Sequence, residues 1–339
     1  MASEKSAVKV VLGTMTFGEA GIEGGKVSTV QDVEAFVDLF IKHGHQEVDT
    51  ARVYALGTCE QLLGQVNKDL RVGTKVAPLI PIPGLEDFTA KHTLEGLRKR
   101  LMESLAALNT KQIEIFYLHA PDRSVPYEET LKAIDELYRE GHFKRWGMSH
   151  FAAWEVAEIV GICKLHGYIQ PSVYQGIYNA IHRDVEPELF PALRKFGMSF
   201  YAFNPLACGL FTDRYTSIDA KPEKGSRLDP EGMAAKAYRA RYWKPAYFDA
   251  LAKIRSVANA NGLTMVEVAL RWMSHHSLLQ RESGDAIIIA ASSLEHLEQN
   301  LVDLEKGPLP EEIVKELDTA WAAVRGESSA YHSHPSLRK

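Results

Sequence analysis

The sequence predicts an α/β protein folded as a (β/α)8 TIM barrel, with a long insertion between strands 7 and 8 and a C-terminal tail. Three observations carry this. Eight short runs rich in β-branched and aromatic residues recur from end to end. Amphipathic stretches with three- and four-residue apolar spacing separate them. The 339 residues accommodate a barrel of about 250 residues plus insertions. A doubly wound open sheet is the alternative that the same alternation allows.

Strands are expected at KVVLGTM (9–15), EVDT (47–50), RVGTKV (71–76) and IEIFYLH (113–119). Four more follow at RWGMSH (145–150), SVYQGIY (172–178), SFYAFNP (199–205) and AIIIAAS (286–292). VQDVEAFVDLFIKHG and TLKAIDELYREGH carry the helical period, and Gly141 stops the second. The longest excursion, 211–246, is too long for an ordinary connection, and loops of that length are often functional. No Ser/Gly linker, low-complexity block or longer repeat interrupts the chain. Residues 1–325 therefore read as a single barrel domain, and 326–339 as a tail.

A hydrophobic share of 45% with 24% charged residues describes a soluble protein with a sizeable core. The net charge of −5 argues against nucleic acid as a partner, so any anionic ligand needs local positive groups. MASEKSAVKVV lacks the apolar stretch of a signal peptide, and no window approaches the roughly 18 apolar residues of a membrane span. Cys59, Cys163 and Cys208 are odd in number and widely spaced, which fits a reducing compartment rather than a disulfide framework or zinc site. The expectation is a cytoplasmic protein. The pairs His275–His276 and His332/His334 lack a third ligand at suitable spacing, so no metal is expected.

A parallel barrel places functional side chains at the carboxyl ends of its strands. Asp49 ends the second strand, Lys75 nearly ends the third, His119 ends the fourth, and Tyr54 follows the second in its loop. Taken singly, Asp49 reads as a cap or turn residue, Tyr54 as packing, Lys75 as a solvated strand end and His119 as a structural hydrogen-bonder. Taken together they suit a carbonyl that becomes an alkoxide. A phenol donates the proton, an ammonium lowers the phenol's pKa, a carboxylate holds the ammonium, and an imidazole orients the oxygen. Such a reduction needs a hydride donor. No G-x-G-x-x-G follows any strand, so a dinucleotide would lie at the loops after strands 7 and 8. NPLACGLF (204–211) offers a glycine for close backbone approach, and Ser292 stands before Glu295 like a capping box. An ordinary loop and an ordinary cap explain either feature alone.

GTMTFG, VDTARVY, TKVAP, FYLHAPD, VYQGIYN, FNPLACGL and SSLEHLEQN together resemble the aldo-keto reductase superfamily. WEVAEI, NAIHRDVEPELFPALRKFG, YRARYWK and ALRWMSHHS are similar to its aflatoxin-aldehyde reductase subfamily, and the likeness runs from about residue 8 to 325. The resemblance implies a catalytic tetrad of Asp49, Tyr54, Lys75 and His119, with Tyr54 as general acid. It implies NADPH/NADP+ as cofactor, with the nicotinamide near Ser149, His150 and Gln175, its ribose near Met15 and Asp49, and Tyr174 or Tyr178 stacked on the ring. Asn204, Pro205, Leu206, Ala207, Cys208, Gly209, Leu210, Phe211 and Arg214 would wrap the pyrophosphate. Ser292, His296, Gln299 and Asn300 would approach the adenosine, and Arg227 the 2′-phosphate.

By the same resemblance the substrates are aldehydes and reactive dicarbonyls, often with an anionic group, and His119 and Arg241 are expected to meet the substrate. The tail departs from the subfamily ending and is expected to line the pocket through Tyr331. An ion pair within the insertion explains Arg241 equally well. A homodimer is implied by the likeness alone. His150 stands where the family usually has Asn. Cys208 and Asp213 stand at Gly positions, Arg214 at a Lys position, and Ala290–Ala291 where Gly-Met is common. These departures bear on cofactor affinity more than on reaction type. Two other readings use the same residues: a cofactor-binding, redox-sensing regulatory subunit with little turnover, and a lyase forming a Schiff base on Lys75.

Overall fold

The computed structural model describes residues 5–79, 84–232 and 235–333. Its strands are β1 (Lys9–Gly13), β2 (Glu47–Asp49), β3 (Arg71–Val76), β4 (Ile113–Leu118), β5 (Phe143–Ser149), β6 (Val173–Ile177), β7 (Ser199–Phe203) and β8 (Ala286–Ile289). They pair in parallel, in chain order, and β8 returns to β1, so the barrel closes and the open-sheet alternative falls. All eight expected strands are present, with their ends shifted. β5 starts earlier than expected because Phe143 already pairs with Ile113. β1 and β8 stop short because their last expected residues have entered the loops of the mouth.

The helices are α1 (Val30–Lys42), α2 (Thr58–Leu63), α3 (Leu94–Ala107), α4 (Tyr127–Arg139), α5 (Ala153–His166), α6 (Leu189–Phe196), α7 (Ala235–Tyr242), α8 (Pro245–Ala260), α9 (Met265–His275), α10 (Leu294–Leu304) and α11 (Glu311–Val324). α1 illustrates how they form. Thr29 caps it by accepting from the Asp32 N–H, and Val33, Phe36, Val37 and Phe40 make one buried face. α7, α8 and α9 all lie between β7 and β8, so the expected insertion is helical in its last part.

Period-two alternation divides every strand between two layers. Val11, Ile115, Tyr117, Val173, Tyr201, Ala286 and Ile288 fill the barrel, while the intervening side chains pack under the helices. Polar groups close the floor: Lys9 Nζ donates to Glu47 at 2.5 Å and to Tyr201 at 2.9 Å, and Arg145 donates to the same Tyr201 hydroxyl at 3.2 Å. Asp49, two residues on from the floor residue Glu47 along β2, shares its inward direction and so faces the mouth at the opposite end.

The tail beyond α11 is docked. Ser328 donates to Asp184, the Ala153 N–H donates to the Tyr331 hydroxyl at 2.9 Å, and Arg241 donates to Ser329 Oγ at 3.3 Å. His334 lies outside the described residues. Among the described residues, no helix is long and apolar enough to cross a membrane.

Candidate active site

Asp49, Lys75 and His119 stand at or just past the carboxyl ends of three adjacent strands, and their shared parity turns all three inward. Lys75 is fully buried. Its ammonium donates to Asp49 Oδ2 at 2.5 Å and to the Thr50 carbonyl at 2.7 Å, and it lies 5.1 Å from the centre of the Tyr54 ring. Gln175 donates to the other Asp49 oxygen at 2.8 Å. Tyr54 and His119 meet edge to face, with ring centres 5.9 Å apart. The four residues thus converge on one mouth, as their placement in the sequence predicts.

The Tyr54 segment is strained. It opens a short turn in which Ala55 has φ 45° and Leu56 φ 52°, both in the left-handed region that side chains disfavour. Two non-glycine residues of this kind in succession persist only where their surroundings over-determine them.

Burial works against both charges of the central pair. It raises the Asp49 carboxyl and lowers the Lys75 ammonium, while each partner holds the other charged. Tyr54 departs from expectation. Burial first and the Asp49 charge second push its phenol well above the ordinary tyrosine value, with Arg227 opposing. That upward direction runs against the expectation of a phenol made acidic by Lys75. Tyr54 is therefore a firmly protonated hydroxyl. A Schiff base on Lys75 would have to give up the bonds its ammonium makes to the Asp49 carboxylate and the Thr50 carbonyl.

The expected cofactor residues fall into three groups. At the centre of the mouth, Ser149 and His150 end β5 and Gln175 lies on β6. The Ser149 hydroxyl is buried without a hydrogen-bond partner, and His150 takes a left-handed φ of 63°. Met15 is half-buried in the loop after β1. In the loop after β7, Asn204 accepts from the Cys208 N–H at 2.6 Å, and Ala207, Cys208 and Gly209 are consecutive left-handed residues. The N–H groups of Ala207, Gly209, Leu210 and Phe211 all close turns within this loop, while the Pro205 and Leu206 side chains pack beside it. Arg214 is exposed and lies 3.5 Å from Glu223, and Asp213 pairs with Arg255 at 2.9 Å. Arg227 is half-buried in the insertion, and its positive charge favours the ionised forms of Tyr54, Cys208 and Tyr238. In the loop after β8, Ser293 rather than Ser292 caps α10, accepting from the His296 N–H at 3.2 Å. Ser292 is left outside the helix, 3.5 Å from the His296 ring, Gln299 donates to Asp303, and Asn300 is buried.

Tyr174 and Tyr178 are corrected by the structure as ring-stacking candidates. Tyr174 neighbours the inward Gln175 and so points outward, where its hydroxyl donates to the Phe151 carbonyl at 2.6 Å. Tyr178 is buried among Phe190, Phe200 and Trp272. The aromatic side chain at the mouth is Phe203, half-buried, in register with the inward Tyr201 and 5.8 Å from the His150 ring. Alternation counted from Gln175 or Tyr201 would have found it.

Arg241 is buried and held by the tail, to Ser329 at 3.3 Å and to the Ser333 carbonyl at 3.4 Å. The Tyr331 hydroxyl is engaged by the start of α5 and by Glu188 at 3.4 Å. Both residues therefore anchor the tail. His275 and His276 serve the α9 end, the first contacting the Lys306 carbonyl and the second accepting from the Leu309 N–H at 2.9 Å.

A closed parallel barrel that gathers a phenol, an imidazole and a buried ion pair at its mouth has the make-up of a barrel oxidoreductase. Comparison narrows the class. The profile of the aldo/keto reductase family matches residues 9–322, and the chain belongs to that family, whose members act on small-molecule carbonyl compounds. It is 46% identical over 299 residues to an aldo-keto reductase of Pseudocercospora fijiensis (strain CIRAD86), covering 87% of this chain and 99% of that one. It is 43% identical to the aldo-keto reductase pigE of Monascus ruber, covering 97% and 98%. It is 41% identical to the mouse (Mus musculus) aflatoxin B1 aldehyde reductase member 2, covering 95% and 86%.

Proposed function

We propose that this protein reduces aldehydes and reactive dicarbonyls to alcohols with NADPH, and that Tyr54 is the general acid. The observation that carries the reading is the protonated Tyr54 phenol facing His119, with the Lys75–Asp49 pair directly beneath it. The relatives named for aldehyde reduction support the substrate class.

The residues fit a nicotinamide cofactor. The buried, unpartnered Ser149 hydroxyl stands beside His150 at the inner mouth, where a carboxamide would give it a partner. Phe203 offers an aromatic face, and Arg227 a guanidinium suited to a 2′-phosphate. When bound, NADPH supplies the hydride that the carbonyl carbon receives.

The chain's own part concerns the oxygen. His119 orients the carbonyl toward Tyr54, whose O–H bond breaks as the proton passes to that oxygen. The resulting phenolate is stabilised by the Lys75 ammonium and regains its proton from solvent. Asp49 keeps that ammonium charged and in place. A homodimer and a cytoplasmic location accompany this reading; the first rests on the resemblance and the second on cysteine usage.

An absorbance screen of NADPH oxidation over aliphatic, aromatic and carboxylated aldehydes tests the proposal. Aldehyde-dependent oxidation that vanishes in Tyr54→Phe is expected. Borohydride trapping of a carbonyl on Lys75, with no NADPH consumed, would overturn it.

A further inference from the structure

Behind the four site residues lies a carboxylate that the reaction does not touch. Glu60, on α2, has no exposed surface. One of its oxygens accepts from Arg52 at 2.8 Å and the other from the Thr74 hydroxyl at 2.6 Å. A carboxylate this far from water costs several kcal/mol unless its charge and both oxygens are satisfied. Both are satisfied here, and the partners are informative.

Thr74 immediately precedes Lys75, and alternation sends its side chain outward to Glu60 while Lys75 points to the mouth. Arg52 lies two residues before Tyr54, and its backbone N–H donates to the Lys75 carbonyl at 3.1 Å. The Arg52 guanidinium also lies directly against the turn that Tyr54 opens. A Cβ on Gly57, which closes that turn at φ 83°, would stand 2.7 Å from one guanidinium nitrogen and 2.8 Å from the other. Phe88 covers the guanidinium from another side, 5.3 Å away, and Glu103 lies 3.7 Å from its Nε.

We propose that Glu60, acting through Arg52 and Thr74, is the positioning residue that fixes Tyr54 relative to Lys75. The proposal rests on the reading of Tyr54 as proton donor. The strained pair Ala55–Leu56 needs something to hold it, and the Arg52–Glu60 bridge braces that turn against β3. The negative charge of Glu60 also favours the Lys75 ammonium, in the same direction as Asp49. A shift of about 1 Å between reacting groups can cost on the order of 100-fold in rate, so loss of this brace is read in kcat rather than in binding.

The test uses the purified full-length enzyme with NADPH and an aldehyde it turns over. Glu60→Gln keeps the shape but turns an amide N–H2 toward one of two donors. Its kcat is expected to fall about 10- to 100-fold while the KM for aldehyde and the NADPH affinity stay within about twofold. Thr74→Val should show a smaller kcat loss, and Thr74→Ser, which restores the hydroxyl, should recover it. Glu267→Gln serves as control, since Glu267 is a buried carboxylate paired with Arg271 at 2.8 Å and Lys306 at 3.0 Å on α9. It should lower thermal stability without changing kcat per folded molecule.

An unchanged kcat in Glu60→Gln, or a loss that merely tracks its unfolded fraction, overturns the proposal. If Glu60→Gln does not fold, the Thr74 pair decides by the same criterion: equal kcat in the Val and Ser variants overturns it. Tyr54→Phe separates the two readings. Full activity there sinks the acid assignment, whereas a dead Tyr54→Phe beside a fully active Glu60→Gln sinks the brace alone.

Discussion

Lys75 Nζ lies 2.5 Å from Asp49 Oδ2 inside the barrel mouth, and among the described residues neither group has another charged partner within ion-pair distance. The two charges are therefore mutually dependent. Removing one member of a buried pair leaves the other uncompensated, a loss of about 3–5 kcal/mol. Asp49→Asn and Lys75→Met are each expected to lose stability of that order in urea unfolding. The double variant Asp49→Asn/Lys75→Met should recover part of it. Additive losses in the double variant would mean that the pair is not coupled. Under the proposed mechanism all three variants should lose turnover: Lys75→Met and the double variant lack the cation that stabilises the phenolate, and Asp49→Asn lacks the carboxylate that holds it.

Tyr54 offers a sharper test, because its role and its packing separate cleanly. Tyr54→Phe removes one oxygen from a half-buried ring, so its unfolding temperature and NADPH affinity should stay near those of the parent. Its turnover should fall about 100- to 10,000-fold, the usual worth of a positioned proton donor. The raised pKa adds a pH prediction. A phenol held well above its ordinary value of 10.0 keeps its proton as the solution becomes alkaline. The proton-donating form is thus fully present through neutral pH and is lost only above that value. The kcat for reduction should accordingly show no alkaline decline attributable to Tyr54 below about pH 10. A decline centred near neutrality would point to another essential acid.

Much of this geometry was legible in the sequence because alternation and strand order determine it. Asp49, Lys75 and His119 lie at the same-face ends of three adjacent strands, and the register that pairs Asp49 with Gly73 and Lys75 with Tyr117 turns all three inward. The same rule, applied to β6, excludes Tyr174 as soon as Gln175 is taken as inward, and applied to β7 it selects Phe203. The Ser292–Ser293 pair precedes two helix-favouring residues, and spacing alone leaves the cap ambiguous by one position; the backbone settles it at Ser293. Two features were not legible. The Arg52–Glu60–Thr74 bridge joins a loop, a helix and a strand, and depends on how α2 docks. The raised pKa of Tyr54 comes first from desolvation and then from the Asp49 charge, and residue order reveals neither how deeply the ring is buried nor how near the carboxylate lies.

The proposed contact between Arg227 and a 2′-phosphate is tested by comparing the two nicotinamide cofactors. Arg227 is half-buried in the insertion, close enough for its charge to act on Tyr54 and Cys208, and a 2′-phosphate is the group on which a guanidinium gains most. A charge-assisted hydrogen bond is worth about 1.5–3 kcal/mol, so Arg227→Ala should weaken NADPH binding about 10- to 100-fold. NADH, without that phosphate, should be nearly unaffected. Fluorescence titration of both cofactors against both proteins measures this directly. Equal weakening would dismiss the phosphate contact.

His182 makes the docked tail sensitive to acid. It is fully buried, with a Ser329 backbone group beside its ring. Burial, with Arg241 and Lys244 adding like charge, lowers its pKa to about 3, against the favourable Ser329 backbone contact and with the Asp184 carboxylate 3.7 Å away. In the unfolded chain it titrates near its ordinary 6.5. Between those two values the unfolded state binds a proton that the folded state refuses. This contribution to stability is therefore full above pH 6.5 and is lost as the pH falls toward 3. One such proton changes unfolding free energy by up to about 1.4 kcal/mol per pH unit. His92, lowered to about 4 mainly by burial, adds a slope of the same sign. Urea unfolding of the parent should weaken steadily on acidification from neutrality, and His182→Phe should remove about one proton's worth of that slope while keeping the tail docked. An identical slope in the variant would show that this imidazole does not supply it.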